Sequence, residues 1–185
     1  MFKKLLLASV LAIPAVSNAE GLSYSFAEAN YITVDVDGGG TSPDGFGFGG
    51  SYLFDKNVFV EASYSALSAG SVDVDTISAG LGLRHGLTNQ IDAVVGAGFL
   101  STEVDVGNLG SDDDTGYFFK GGLRAQVMPK LEVNGGLAYA EIFDDGNTSF
   151  SLGGVLSLTP ELALTGGAGF DDDATTFTIG ARYNF

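Results

Sequence analysis

Apolar and polar side chains alternate along this chain with a period of two. In residues 46–54, Phe46, Phe48, Tyr52 and Phe54 share one parity, and Gly47, Gly49, Ser51 and Leu53 the other. In 77–84, Ile77, Ala79, Leu81 and Leu83 alternate with Ser78, Gly80, Gly82 and Arg84. In 117–127, Tyr117, Phe119, Leu123, Ala125 and Val127 oppose Phe118, Lys120, Gly122, Arg124 and Gln126. The chain ends the same way, with Phe177, Ile179, Ala181, Tyr183 and Phe185 against Thr178, Gly180, Arg182 and Asn184. Successive side chains of a strand point to opposite faces, so these segments predict strands with one apolar face. Beyond residue 19 no segment holds ten or more apolar residues in helical rhythm.

The breaks between segments are of two kinds. Asp55-Lys56-Asn57, Thr88-Asn89-Gln90, Pro129-Lys130 and Thr159-Pro160-Glu161 are short and carry residues that preset φ or bond their own backbone. The others, 35–44, 68–73, 105–114, 144–147 and 171–173, are acidic, and most are rich in glycine. The two kinds alternate, as they do in an up-and-down barrel whose two ends differ. Four tight turns and five acidic loops make nine connections and therefore ten strands. A membrane-crossing strand needs about 9–11 residues. Ten of them leave about seven residues per connection, an ordinary loop length. An eight-strand barrel would require two of the breaks to be bulges. The chain also resumes similarly after each tight turn, with NVFVEASYS, NQIDAVVGAG, KLEVNGGLAY and ELALTGGAGF. This is a weak repeat of one hairpin-start unit.

Residues 1–19 stand apart. Lys3 and Lys4 precede an apolar run from Leu5 to Val16, and Ser17-Asn18-Ala19 supplies small residues before a cut. Twelve apolar residues are too few to span a bilayer, so this is a secretory signal peptide with cleavage expected after Ala19. The domain is then 20–185. With Lys3 and Lys4 gone, six basic residues face 23 acidic ones, a formal charge of −17. That charge sets nucleic-acid binding aside. A hydrophobic content of 45% argues against disorder. The absence of Cys excludes a disulfide scaffold, a thiolate nucleophile and a Cys-ligated metal.

Residue size decides which face meets what. Glycine makes up 28 of 185 residues, about twice its usual ~7%. Much of it shares the parity of Glu61, Arg84, Asp92, Lys120, Arg124, Glu132 and Arg182. A face so small suits the inside of a narrow barrel, where it leaves room for a few long charged side chains. The opposite face, rich in Leu, Val, Ile, Phe and Tyr, suits lipid. Aromatics gather near segment ends (Phe46, Tyr64, Phe99, Tyr117, Phe170, Phe177), as interfacial girdles do. These observations predict an all-β fold, an antiparallel up-and-down transmembrane barrel of ten strands. A closed barrel has no edges, so its last strand must pair with its first.

The alternating ending Tyr183-x-Phe185 resembles the C-terminal assembly signal of bacterial outer-membrane barrels, which the insertion machinery of that family reads. Across the whole mature chain the layout is similar to that of small outer-membrane β-barrel or porin-like proteins. It departs from many of them in lacking Trp. The resemblance implies the bacterial outer membrane as location, both termini in the periplasm, and lipid, lipopolysaccharide and the insertion machinery as partners.

Candidate chemistry is sparse. Some small barrels of this kind are enzymes that use His beside Ser, Asp or Glu. The single His of this chain, His85, has lipid-facing parity and lies at the tight-turn end, so no catalytic set is expected. The acidic segments around Asp35 and Asp37, Asp112 to Asp114, Asp144 and Asp145, and Asp171 to Asp173 offer carboxylates for Ca²⁺, but none shows the full EF-hand spacing. The preferred reading is that they are solvated loops whose repulsion keeps the barrel tips apart. The inward charges form a mixed-sign ring near the tight-turn end. This ring is either an ion-pair network that replaces a core or the constriction of a channel. No cofactor is expected. The function expected is a non-enzymatic porin-like or structural envelope protein. The alternative is a surface-interaction barrel whose acidic loops bind cations, lipopolysaccharide or a partner.

Overall fold

Strands form where the alternation places them. In the computed structural model, which describes residues 22–36, 38, 42–143 and 145–185, they are β1 (Phe26–Val36), β2 (Asp44–Asp55), β3 (Val58–Ala69), β4 (Val72–Gly86), β5 (Ile91–Asp105), β6 (Ser111–Met128), β7 (Leu131–Ile142), β8 (Asp145–Ser157), β9 (Leu162–Phe170) and β10 (Ala174–Asn184). Among the described residues these ten strands pair antiparallel in sequence order and close into a barrel. The eight-strand alternative is therefore set aside. Closure is made by β1 and β10, in register from Phe26 opposite Asn184 to Val36 opposite Ala174. The expected cleavage position, Ala19, lies outside the described residues.

Side chains build the tight turns. The Thr159 hydroxyl accepts N–H bonds from Glu161 and Leu162 (3.3 and 3.0 Å). The Thr88 hydroxyl accepts from Gln90 (3.1 Å), and Asp55 Oδ1 accepts from Lys56 (2.7 Å). At the other end Asp171 Oδ1 caps the N–H groups of Asp173 and Ala174 (2.9 and 2.8 Å). The acidic breaks are shorter than the sequence suggests. Asp73, Asp112, Asp113, Asp114 and Asp145 belong to strands, and only Gly70 and Ser71 separate β3 from β4. β4, β5 and β6 run to 15, 15 and 18 residues. That is more than a bilayer requires, so their acidic ends extend past the apolar band.

The inside is not uniformly polar. Toward the acidic end, Leu100, Phe118, Ala140 and Ile142 form one buried apolar cluster. Val72, Val74 and Val104 form a second. Ile32, Val34, Leu67 and Ala174 form a third. Phe143, whose φ of 53° is left-handed, packs against the first two. Its N–H donates to Asp114 Oδ2 (2.5 Å), and these contacts offset the cost of that backbone. The inward glycines therefore make room for rings as well as for charges. A Cβ at Gly82 would strike the Phe59 ring, and Cβ atoms at Gly80 and Gly98 would come within 2.8 and 2.7 Å of the Phe118 ring.

Candidate functional site

Inward parity carries the long charged side chains into the barrel, and each meets an opposite charge. Lys120 Nζ on β6 reaches across the interior to Glu61 Oε2 on β3 (2.6 Å). Arg84 Nη1 on β4 faces Asp92 Oδ2 on β5 (3.6 Å). Arg124 Nε on β6 donates to Glu132 Oε1 on β7 (2.8 Å), and its Nη2 donates to the same oxygen. Arg182 on β10 donates through Nε and Nη2 to Glu28 Oε2 on β1 (3.0 and 2.8 Å). Among the described residues, the seven charges singled out from sequence all take part in these four pairs.

Glu28 was missed by sequence reasoning. On β1 the inward residues are Phe26, Glu28, Asn30, Ile32 and Val34, and the outward ones include Ala27 and Ala29. The size rule therefore points the wrong way on this strand. The available signal was the charge itself, because a mid-strand carboxylate does not face lipid. Glu28 Oε1 accepts from Asn30 Nδ2 (3.0 Å), and Asn30 Oδ1 accepts from the Thr165 hydroxyl (3.0 Å). One polar chain thus links β10, β1 and β9.

Tyr24, which precedes β1, ties the pairs together. Its hydroxyl donates to Asp92 Oδ2 (2.9 Å). Its ring lies 4.8 Å from the Arg84 guanidinium carbon, 5.2 Å from that of Arg124, and 5.1 Å from the Phe59 ring. Arg182 sits over Phe26 in the same way, at 4.3 Å. Such contacts are worth about 0.5–2 kcal/mol each, more where water is excluded. Arg124 and Arg182 are only 1% and 2% exposed. Removing a guanidinium from water costs several kcal/mol, which only a close, hydrogen-bonded partner offsets. The geometry is that of a fixed brace with matched charges.

The outer face holds the remaining candidates. His85 projects outward opposite Ala93 and is exposed. Tyr31, Tyr64, Tyr117 and Tyr139 donate their hydroxyls to outward carboxylates of Asp44, Asp75 and Glu141 at 2.6–2.9 Å. These pairs form a girdle where the apolar band meets the acidic end. Beyond it, the strand register sets like charges face to face. Asp73 opposes Asp105, Asp75 opposes Glu103, and Glu103 opposes Asp113. Among the described residues, no three acidic, His or Cys side chains converge to hold a metal ion. Asp37 and Asp144 lie outside the described residues. Tyr183 and Phe185 are exposed on the outer wall. The Phe185 N–H is bonded to Ser25 O (3.1 Å) and the Asn184 N–H to Glu161 O (2.7 Å), so both described chain ends sit at the tight-turn end.

No curated protein matches the chain. Among solved structures it is similar to the KdgM porin, at 11% identity, covering 85% of this chain and 99% of that one with a TM-score of 0.49. It is also similar to the N-terminal β-barrel domain of Pseudomonas aeruginosa OprF, at 14% identity, covering 87% of this chain and 98% of that one with a TM-score of 0.46. The outer membrane protein OprG from Pseudomonas aeruginosa matches at 18% identity over 91% of this chain and 99% of that one, with a TM-score of 0.45. The outer membrane protein beta-barrel domain matches residues 4–185, and the chain belongs to that family.

Proposed function

We propose that this protein is a non-enzymatic barrel of the bacterial outer membrane whose narrow interior is braced by ion pairs, and that it serves the envelope structurally and not as an open porin. One observation carries the reading: Arg124 and Arg182 are buried with their carboxylate partners inside the barrel. An open pore would keep such side chains in water. The apolar clusters toward the acidic end support the same reading. The tight turns and both termini are assigned to the periplasm and the acidic hairpins to the outside, a reading supported by the long β4, β5 and β6, whose acidic ends extend past the apolar band. The expected partners are lipid, lipopolysaccharide and the insertion machinery, with Tyr183 and Phe185 as the assembly signal. The outward placement of His85 supports a role without catalysis.

A second reading is favoured by the opposed acids of β4, β5 and β6. Like charges directly opposite repel, and a divalent cation shared with lipopolysaccharide phosphates would relieve that repulsion. Planar-bilayer recording tests the first reading. The purified barrel should show no sustained ion conductance, and a long-lived open-pore current would overturn it.

A further inference from the structure

The ten strands do not contribute equally to the interior. β1 to β7 supply every paired charge except Arg182. They also supply nearly all of the apolar clusters. The wall made by β8, β9 and β10 presents mainly Ser, Thr, Asn and Gly inward. Two cavities lie against this wall. The upper, about 50 Å³, is bordered by Asn30, Asn134, Ser151, Thr165 and Thr178. The lower, about 390 Å³, opens at the tight-turn end and is bordered by Gln126, Glu132, Val155, Ser157, Arg182 and Asn184. Along β8 the lining passes from Ser151 and Gly153 in the upper cavity to Val155 and Ser157 in the lower. Val155 and Arg182 line the lower cavity, and the bonded pair Asn30 and Thr165 lines the upper.

Among the described residues four buried side-chain atoms lack a protein hydrogen-bond partner: Glu61 Oε1 and Arg124 Nη1 within the ion-pair brace, and two amide oxygens, of Gln126 and Asn147, outside it. Gln126 Oε1, on a residue that borders the lower cavity, has no protein hydrogen-bond partner. Neither has Asn147 Oδ1, on the inward face of β8 beyond Ser149 and Ser151. An acceptor left unsatisfied in a protein interior costs about 1–3 kcal/mol, which a passing polar molecule would relieve. The upper cavity has room for a few waters.

We propose that this wall is a route for water and small uncharged polar molecules of the urea type, with Val155 at its narrowest point. Hydroxyl and amide groups can replace the hydration of a neutral molecule one bond at a time. An ion stripped of its water would find the nearby charges already matched and would pay far more. The inference rests on the reading of a braced barrel closed to ions, and the two can fail separately.

The test is urea uptake by vesicles containing the full-length mature barrel, followed by light scattering, with each variant first checked for heat-modifiable folding. Wild-type vesicles should swell faster than protein-free ones. Val155→Ala should accelerate uptake. Ser151→Phe, which fills the upper cavity, should return it to the protein-free rate. Val104→Ala, in an apolar cluster away from this wall, should leave it at the wild-type rate. Wild-type uptake no faster than that of empty vesicles would overturn the inference. So would equal acceleration by Val155→Ala and Val104→Ala, or undiminished uptake by Ser151→Phe. An open-pore ion current alongside the expected urea pattern would instead overturn the structural-envelope reading and leave the route in place.

Discussion

Replacing Arg124 with Ala should be the most informative single change in the interior. Arg124 is 1% exposed and gives two donors to Glu132 Oε1. Its loss leaves the Glu132 carboxylate, itself 5% exposed, without its cation. Breaking a buried pair from one side costs about 3–5 kcal/mol. The lost stacking on Tyr24 adds about 0.5–2 kcal/mol. The expected fall is therefore at least two powers of ten in the folding equilibrium, at ~1.4 kcal/mol per decade. Adding Glu132→Gln removes the stranded charge and should recover part of the loss. The assay is reversible urea unfolding in lipid vesicles. It would be followed by tyrosine fluorescence, since the chain contains no Trp, and by the heat-modifiable gel shift. A loss under about 1 kcal/mol for Arg124→Ala would show that water screens the pair despite its burial. Failure of Glu132→Gln to recover any stability would show that the loss comes from packing and not from charge.

Three further outcomes are expected. Deleting Phe185 should reduce the folded, heat-modifiable form in outer membranes, measured by fractionation, and normal assembly would remove its role as a signal. Cysteines placed at Asp113 and Asp172 should react with a membrane-impermeant label on whole cells, and one at Lys130 should not; the reverse pattern would invert the proposed orientation. Glu103→Gln, which relieves repulsion from Asp75 and Asp113, should stabilise the barrel by about 0.2–1 kcal/mol at low salt. That gain should vanish in high salt, as screening requires, and a salt-independent gain would assign it to something other than charge.

Strand number, order and facing were legible in the sequence, because parity and turn chemistry are local. The Thr88 and Thr159 turns form through their own hydroxyls, and the alternation around Arg84, Arg124 and Arg182 places them inward without reference to any other strand. What lies opposite each side chain was not legible. The pairing of Lys120 with Glu61 spans two intervening strands. The pairing of Arg182 with Glu28 exists only because the last strand closes on the first. The size rule failed on β1, where Phe26, Ile32 and Val34 point inward, because an interior is filled by volume summed over all strands and no single strand has to be small. Tyr24 shows the same limit. Nothing in its neighbourhood in the sequence marks it, yet its hydroxyl and ring join Phe59, Arg84, Asp92 and Arg124 from four different strands, and β3, β4, β5 and β6 come together around it only after closure. Local alternation is a property of the chain, whereas complementarity across a closed interior is a property of the register, and only the folded barrel sets it.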